Sequence, residues 1–450
     1  MIEPVTTATL AERGELSRAA KAFLRTESGS AVLLLGAAVV ALLWVNLGRG
    51  YEEFWHTEFS LRIGDTELTE DLRHWVNDGL MVLFFFSVGL EMSREAVLGE
   101  LRGARAIAAP ALAAVGGLVV PALLFLAFNA GGPASGAWGI AISTDTAVVV
   151  GVLALVGPRC PDQLRVFLLA LAIVDDIGAV AAIAFFYTDD VQVTPLLLAG
   201  ALFLALLALR YAQFWRTPLY VVIGLVMWLA VLESGVHPSV VGVALGLLVN
   251  AYAPRRDDID QVAVLGRSFL VDPSAQRALA TQAAVTEAVS PNERLQLRIQ
   301  PWSSYVIVPL FVLANAGVPL DGATLAAAAT SPLTWGIIVG LTVGKVVGVS
   351  AGTWVALRTG IGRVPDTLRW GQLLGGAGLA GIGFTVALFV TDLALDDPLL
   401  VNEAKIGILT GSLLAAGIGW AIFRFAGERG GQCAPSGLPV LPPRPWRPPA

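Results

Sequence analysis

The stretch LLALAIVDDIGAVAAIAFF, residues 168–186, decides the fold, because it places two adjacent acids inside a long apolar run. About 20 mostly apolar residues are enough to cross a bilayer as a helix. An ionisable group inside such a helix costs roughly 2.5–3.5 kcal/mol on insertion scales, so it is retained where it is used. The stretch predicts a transmembrane helix with Asp175 and Asp176 at mid-depth. The alternative is a helix break that leaves the pair at a water interface.

The composition extends this prediction to the whole chain. Of its 450 residues, 56% are hydrophobic and only 14% are charged, against about 25% charged in soluble proteins. The net charge of -6, without a basic tract, gives no sign of nucleic acid as a partner. Cys160 and Cys433 support neither a disulfide framework nor a zinc site. No GxxxxGK[ST] sequence indicates use of ATP. We therefore expect an all-α polytopic membrane protein without a cofactor and without enzymatic activity.

The apolar segments predict about twelve transmembrane helices. They lie near 30–48, 75–93, 106–128, 136–157, 163–187, 195–211, 217–233, 236–250, 302–319, 333–357, 371–393 and 404–425. Basic residues occupy every second loop after the first long one, and basic loops mark the cytoplasmic side. Both termini are therefore expected on the cytoplasmic side of the membrane. No cleavable signal peptide is visible, so the first span is expected to direct insertion.

The spans divide the chain into five parts. These are a cytoplasmic N-terminal segment (1–28), spans one to eight (29–253), a cytoplasmic linker (254–300), spans nine to twelve (301–426) and a Pro/Gly-rich tail (427–450). The polar, charged residues 254–294 are predicted to be weakly structured, and the tail is predicted to be disordered.

The first external loop contains FSLRIGDTELT, residues 59–69, which alternates apolar and polar residues around Gly64-Asp65. This pattern predicts a small external β-hairpin. An exposed hairpin edge can pair with a second copy of the chain, which would give a homodimer. A simple surface hairpin explains the pattern equally well.

Two spans carry signs of an interruption at mid-depth. Span four contains Ser143-Thr144-Asp145-Thr146, whose side chains compete for backbone hydrogen bonds. Span eleven contains GGAGLAGIGFT, residues 375–385. A polar patch facing a neighbouring helix, and close helix packing through glycine, are the respective alternatives. An interrupted span in each half of the chain indicates inverted repeats with a binding site between them.

Lys345 lies in the apolar run of span ten, too central for a lysine that reaches the interface. It is expected to pair with an aspartate of span five. The facing ends of interrupted helices leave uncompensated dipole charge. Asp145 and Lys345 have the signs needed to neutralise that charge.

Seven motifs, in order, make the chain similar to the NhaA family of sodium/proton antiporters from about residue 26 to 425. They are FFFSVGLEMSRE (84–95), Thr144-Asp145, GVLALVG (151–157), ALAIVDDIGA (170–179), SGVH (234–237), PLFVLANAGV (309–318) and GIGFT (381–385). The resemblance implies exchange of Na⁺ or Li⁺ for H⁺ across the bilayer.

The resemblance also implies roles for individual residues. Asp176 would be the main sodium ligand and proton carrier, so that Asp175 and Asp176 together hold the transported Na⁺. Asp175 would pair with Lys345 and take part in the proton cycle, and Thr144 and Asp145 would complete the site.

Further positions match regions outside the ion site. Asp78 matches an acid of the cytoplasmic funnel. Four residues match the groups linked to the pH response, namely Glu91, Arg94, Glu95 and His237. The chain departs from the family at Gln296, Leu297 and Gln300, where a glutamate and histidines are common.

Three other functions fit parts of the sequence. A cation channel would also use buried carboxylates, but it would pass sodium without counter-moving protons. An intramembrane aspartyl protease needs two aspartates on separate helices and usually a Gly-x-Gly-Asp motif, which is absent. A structural or sensory membrane protein would leave the buried charges unexplained.

Overall fold

A computed structural model describes residues 27–63, 66–98, 104–156, 162–188, 191–212, 217–364 and 368–425. This part is helical apart from one two-stranded hairpin. Seven of its helices are long and apolar enough to cross a membrane, or eight if a bent pair counts as one span. The chain is thus a multi-span helical membrane protein, as predicted. The N-terminal residues before 27, both cysteines and the tail from 427 lie outside the described residues.

The described part of the first half of the chain contains nine numbered helices. They are α1 (Glu27–Leu47), α2 (Met81–Leu98), α3 (Ala104–Asn129), α4 (Gly139–Ile142), α5 (Thr146–Val156), α6 (Asp162–Phe186), α7 (Val193–Tyr211), α8 (Thr217–Leu232) and α9 (Ser239–Leu248). Short helices at Tyr51–Trp55 and Leu72–His74 flank the hairpin. A 3₁₀ turn at Ser135–Trp138 leads into α4.

The described part of the second half contains ten numbered helices. They are α10 (Arg256–Val271), α11 (Ala275–Ala288), α12 (Pro291–Trp302), α13 (Val308–Asn315), α14 (Gly322–Thr330), α15 (Pro332–Val339), α16 (Lys345–Arg358), α17 (Trp370–Leu379), α18 (Thr385–Ala394) and α19 (Pro398–Phe425).

The predicted hairpin is present. Strand β1 (Glu58–Ile63) pairs antiparallel with β2 (Thr66–Asp71), with Ser60 opposite Thr69. The Ser60 and Thr69 hydroxyls lie 2.8 Å apart. At the base of the hairpin, Asp71 accepts hydrogen bonds from the His74 backbone and ring, and its other oxygen lies 2.8 Å from His56 Nδ1. These contacts tie the hairpin to the start of span two.

Residues 254–294 form helices, and the prediction of a weakly structured linker is wrong. Ser274 and Ser290 each accept a backbone hydrogen bond at the start of a helix, and Pro291 occupies the first turn of α12. The sequence Ser290-Pro-Asn-Glu293 is a capping pattern that the polar composition obscured. The ninth apolar helical stretch consequently begins at Pro291, well before residue 302. The Asn292 backbone amide donates to the Asn250 backbone carbonyl at 3.3 Å. The two ends of the segment between these residues therefore lie next to each other.

A close approach of α3 and α16 positions Lys345. A Cβ on Gly116 would collide with the Gly348 carbonyl, and a Cβ on Gly348 would collide with the Gly116 carbonyl. Only glycine therefore allows the two backbones to touch here. Asp175 and Lys345 both approach Gly117 on the same part of α3.

Three π-helical turns interrupt otherwise regular spans in the described chain. They lie at Trp75–Leu80, before α2, at Ser303–Ile307, between α12 and α13, and at Gly340–Gly344, between α15 and α16. Such turns are rare and often mark functional positions. The third ends directly before Lys345.

Candidate ion-binding site

The break in span four lies where the sequence predicts it. Helix α4 ends at Ile142, α5 begins at Thr146, and the two axes differ by 43°. Ser143 has extended backbone angles, and Ser143, Thr144 and Asp145 are all buried. A stretch without helical hydrogen bonds at this depth needs partners from elsewhere in the protein.

Those partners come from a second break, between α17 and α18. The Asp145 backbone amide donates to the Ile382 carbonyl at 2.7 Å, so the two breaks are hydrogen-bonded to each other. Ser143 also packs directly against Gly383, since a Cβ at that glycine would overlap the serine side chain. The two non-helical segments therefore cross in contact.

The Asp145 carboxylate lies at the first turns of two half-helices. One oxygen accepts from the Thr385 amide at 3.2 Å and from the Thr385 hydroxyl at 2.8 Å, at the start of α18. The other accepts from the Val148 amide at 3.3 Å, in the first turn of α5. Helix N-termini carry partial positive charge, which a carboxylate compensates. The sequence predicts this anion but not the hydroxyl of Thr385 as its partner.

Asp175 and Lys345 form an ion pair in the protein interior. Lys345 Nζ lies 2.8 Å from Asp175 Oδ2, and the two side chains are 0% and 1% exposed. The Thr144 hydroxyl lies 2.8 Å from the same oxygen and 2.9 Å from the Ala380 carbonyl. Because a hydroxyl has one proton, it can donate fully to only one of these acceptors at a time.

Asp176 differs from its neighbour in burial and in partners. Successive helix residues point about 100° apart, and Asp176 is partly exposed where Asp175 is buried. The charges that act on it most strongly are Glu91, Asp175 and Asp145, all anionic, with Lys345 as a weaker cationic influence. Among these groups a single ammonium faces four carboxyl groups, which leaves an environment that attracts a cation.

Two buried oxygens near this centre have no hydrogen-bond partner. They are Asp175 Oδ1 and Thr146 Oγ1. An unsatisfied buried oxygen is uncommon and calls for an explanation such as an ion. No group of three or more His, Cys, Asp or Glu side chains among the described residues is arranged to hold a metal ion.

The residues expected to serve the funnel and the pH response fall into two groups. Asp78 Oδ1 lies 3.2 Å from His237 Nε2, and Asp78 belongs to the π turn that follows the hairpin. Glu91 lies 13 residues further along the same span, about 20 Å away at the helical rise. Asp78 thus lies at the hairpin end of the span, paired with His237, while Glu91 lies further along the span. The funnel role of Asp78 stays a prediction. The same holds for the role of His237, Glu91, Arg94 and Glu95 in a pH response.

Two residues near these groups were missed. Glu293 lies 3.9 Å from Arg94, three residues before the non-titrating Gln296. The Ser290 cap places it at the start of α12, and that cap was the signal available in the sequence. Lys405 is a second buried lysine, 7% exposed, and donates to the Gly317 carbonyl at 3.2 Å.

Crossed helix breaks, a buried lysine–aspartate pair and an adjacent open carboxylate define a membrane transporter for small cations. A family model described as Na+/H+ antiporter 1 matches residues 21–423. The chain belongs to the NhaA family of Na⁺/H⁺ antiporters and is a transporter, not an enzyme.

Two relatives illustrate the match. The chain is 50% identical to the Frankia alni protein named Na(+)/H(+) antiporter NhaA 3, over 97% of this chain and 95% of that protein. It is 46% identical to the Mycolicibacterium gilvum protein named Na(+)/H(+) antiporter NhaA 1, over 91% of this chain and 67% of that protein.

Proposed function

We propose that this antiporter exports cytoplasmic Na⁺ or Li⁺ in exchange for external H⁺, and that Asp176 is the group for which the two ions compete. One observation carries the proposal. Asp176 is partly exposed beside the crossed helix breaks, while Asp175 and Asp145 are already engaged by Lys345 and Thr385. Of the three carboxylates, Asp176 is the one available to an arriving ion.

Competition at this carboxylate is enough to couple sodium movement to proton movement. Sodium is a hard cation that prefers oxygen ligands, and a carboxylate that holds a proton cannot also hold sodium well. Asp176 supplies the charged ligand, and Asp175 Oδ1 and Thr146 Oγ1 are further candidate oxygens. If this centre opens to one side at a time, inward movement of protons is coupled to outward movement of sodium. Asp175 takes part in the proton cycle when its contact with Lys345 is released.

We also propose the finer architecture that the sequence predicts. Twelve spans arise if four further segments cross the membrane, namely 75–98, 217–232, 239–248 and the paired half-helices 370–394. The supporting observations are the alternation of basic loops and the presence of one break in each half of the chain. This arrangement places both termini in the cytoplasm and gives inverted repeats in a bacterial inner membrane.

A homodimer formed through the hairpin at 59–69 remains a proposal. Both strands of the two-stranded sheet are edge strands, so each offers unpaired backbone groups to a second copy. Cross-linking of cysteines introduced at Ser60 in membranes would test the contact.

The contacts of the aspartates argue against a protease. A protease would need two carboxylates sharing one water, whereas Asp145 is held by helix amides and Asp175 by an ammonium. Measurement of proton flux distinguishes the antiporter from a cation channel. In everted vesicles, addition of Na⁺ or Li⁺ should drive protons out and K⁺ should not.

The Asp176→Asn variant tests the central residue. It should insert normally yet lose Na⁺-driven proton movement, because it can neither ionise nor bind a proton. Sodium-driven proton flux at the wild-type level in this variant would refute the assignment of Asp176.

A further inference from the structure

Asp392 is a carboxylate that neither the ion pair nor the helix breaks account for. It lies near the end of α18, in the part of span eleven that leads to the loop predicted to be external. Its Oδ2 accepts a hydrogen bond of 2.6 Å from Asn77 Nδ2. Asp392 itself is exposed, whereas Asn77 is only 4% exposed. Asp392 therefore contacts the buried Asn77 amide on one side and is accessible to solvent on the other.

The amide that holds Asp392 is itself fixed. Asn315 Nδ2 donates to Asn77 Oδ1 at 2.8 Å and to the Phe311 carbonyl at 3.0 Å. Asn77 belongs to the π turn that also contains Asp78. Three spans thus meet at this point, and their side chains offer oxygen and amide groups around one exposed carboxylate.

Asp392 shares a helix face with the residue that holds the central site. Thr385, Phe389 and Asp392 follow at intervals of four and three residues, which places them on one side of α18. Thr385 binds Asp145, and Asp392 lies two turns further out, about 10 Å along the axis. The face therefore leads from the crossed breaks to the external mouth.

Phe389 lies between Thr385 and Asp392 on this face of α18. It is 1% exposed, and its ring lies against Phe85, Phe311 and His237, with centroids 5.3, 6.1 and 4.8 Å away. The three phenyl rings have no polar group to replace the hydration of an ion, and the His237 imidazole is already held by Asp78 and Ser239. A cation passing outward would therefore have to be received on the far side by a different ligand.

Lys405 limits how tightly Asp392 can hold a cation. The Lys405 ammonium donates to the Gly317 carbonyl. Its positive charge also attracts the negative charge of Asp392. A group on a transport path must bind strongly enough to receive an ion and weakly enough to release it. Asp392 is exposed and is held by a single amide, so it meets both requirements.

We propose that Asp392 is an outer relay carboxylate, which holds the cation or proton briefly between external water and the central site behind Phe389. This inference rests on the proposed exchange function and adds a second, external binding step to it.

The test compares the two membrane faces. Sodium is added to everted vesicles, where it meets the cytoplasmic face, and to right-side-out vesicles, where it meets the external face. We expect Asp392→Asn to raise the external sodium KM by about fivefold, the order expected for losing a partly screened charge. The cytoplasmic KM should stay within twofold of wild type. The asparagine can still accept the Asn77 hydrogen bond, so the variant removes charge and keeps the contact.

Three comparisons make the result specific. Asp396→Asn removes an exposed acid from the neighbouring loop and should change neither KM. Asp392→Glu should restore the external KM, which a purely structural role of the side chain would not predict. The effect of Asp392→Asn should shrink as choline chloride is raised, because salt screens exposed charges. If Asp392→Asn proves unstable, Asp392→Ser replaces it in the same assay.

Two results separate the inference from the proposed function. An unchanged external KM in Asp392→Asn, or equal changes at both faces, would overturn the relay while exchange by the wild type stands. Absence of exchange by the wild type at either face would overturn both.

Discussion

Replacing Lys345 with alanine should destabilise the protein as well as impair transport. The ammonium lies 2.8 Å from Asp175 Oδ2, and neither side chain is more than 1% exposed. Breaking a pair this deeply buried costs about 3–5 kcal/mol, because the remaining charge keeps its desolvation penalty. Asp175 Oδ1 already lacks a partner, so only the Thr144 hydroxyl would remain to hold the carboxylate. The apparent melting temperature in detergent should fall by on the order of 5 °C.

A double-mutant cycle built from Asp175→Asn, Lys345→Met and their combination separates the pair from simple loss of packing. Asp175→Asn combined with Lys345→Met leaves no buried charge at this position and keeps most of the side-chain volume. It should recover most of the stability lost in Lys345→Ala, although not transport. Scans should use one heating rate, since such unfolding is often irreversible. A melting temperature of Lys345→Ala equal to that of wild type, or additive losses in the double variant, would refute the stabilising pair.

Three more predictions follow from other contacts. Thr385→Val keeps the shape but removes a hydrogen bond of about 1–2 kcal/mol to Asp145, so transport should fall severalfold while Thr385→Ser remains close to wild type. The sodium KM should rise as pH falls, by roughly tenfold per unit for each proton that competes at Asp176; a maximal rate that collapses in acid at saturating sodium would contradict simple competition. At the hairpin base, burial lowers the pKa of His74, but its hydrogen bond to Asp71 and the negative charges of Asp71, Asp78 and Glu70 together outweigh this, so the net pKa is raised. The backbone and ring hydrogen bonds from His74 overcome desolvation and lower the pKa of Asp71. Stability from the raised histidine pKa is complete below about 6.5 and is lost as pH rises through the folded-state value, while the aspartate contribution is lost only in strong acid. Hydrogen exchange of the strand amides, corrected for intrinsic rate, should therefore show less protection in alkali, and equal protection at pH 6 and 9 would refute this account.

The sequence predicted the parts of the fold that follow from strong local signals. The apolar runs, the hairpin around residues 64–65 and the break at Ser143 each depend on residues close together in the chain. The partner of Lys345 was also predictable, because a buried ammonium needs an anion and the aspartates of span five were the available choice.

Other features depend on contacts that local patterns do not encode. The hydrogen bond from the Asp145 amide to the Ile382 carbonyl joins two backbones, and backbone groups are present whatever the sequence. The contact between Asp78 and His237 joins residues 159 positions apart, and no local pattern indicates it. The helices after residue 254 were missed because their polar composition outweighed the serine caps.

The backbone contact between Asn250 and Asn292 holds together the two ends of the segment that contains α10 and α11. Its entry and exit points are fixed to each other whatever lies between them, so changes in length there need not pull on α9 or α12. The turn at Asp272–Ser274, exposed between α10 and α11, is a suitable place to insert a fluorescent reporter, since exposed turns tolerate insertion best. With the proposed topology, such a fusion would place a pH-sensitive dye on the cytoplasmic side of the membrane, where it would report proton release.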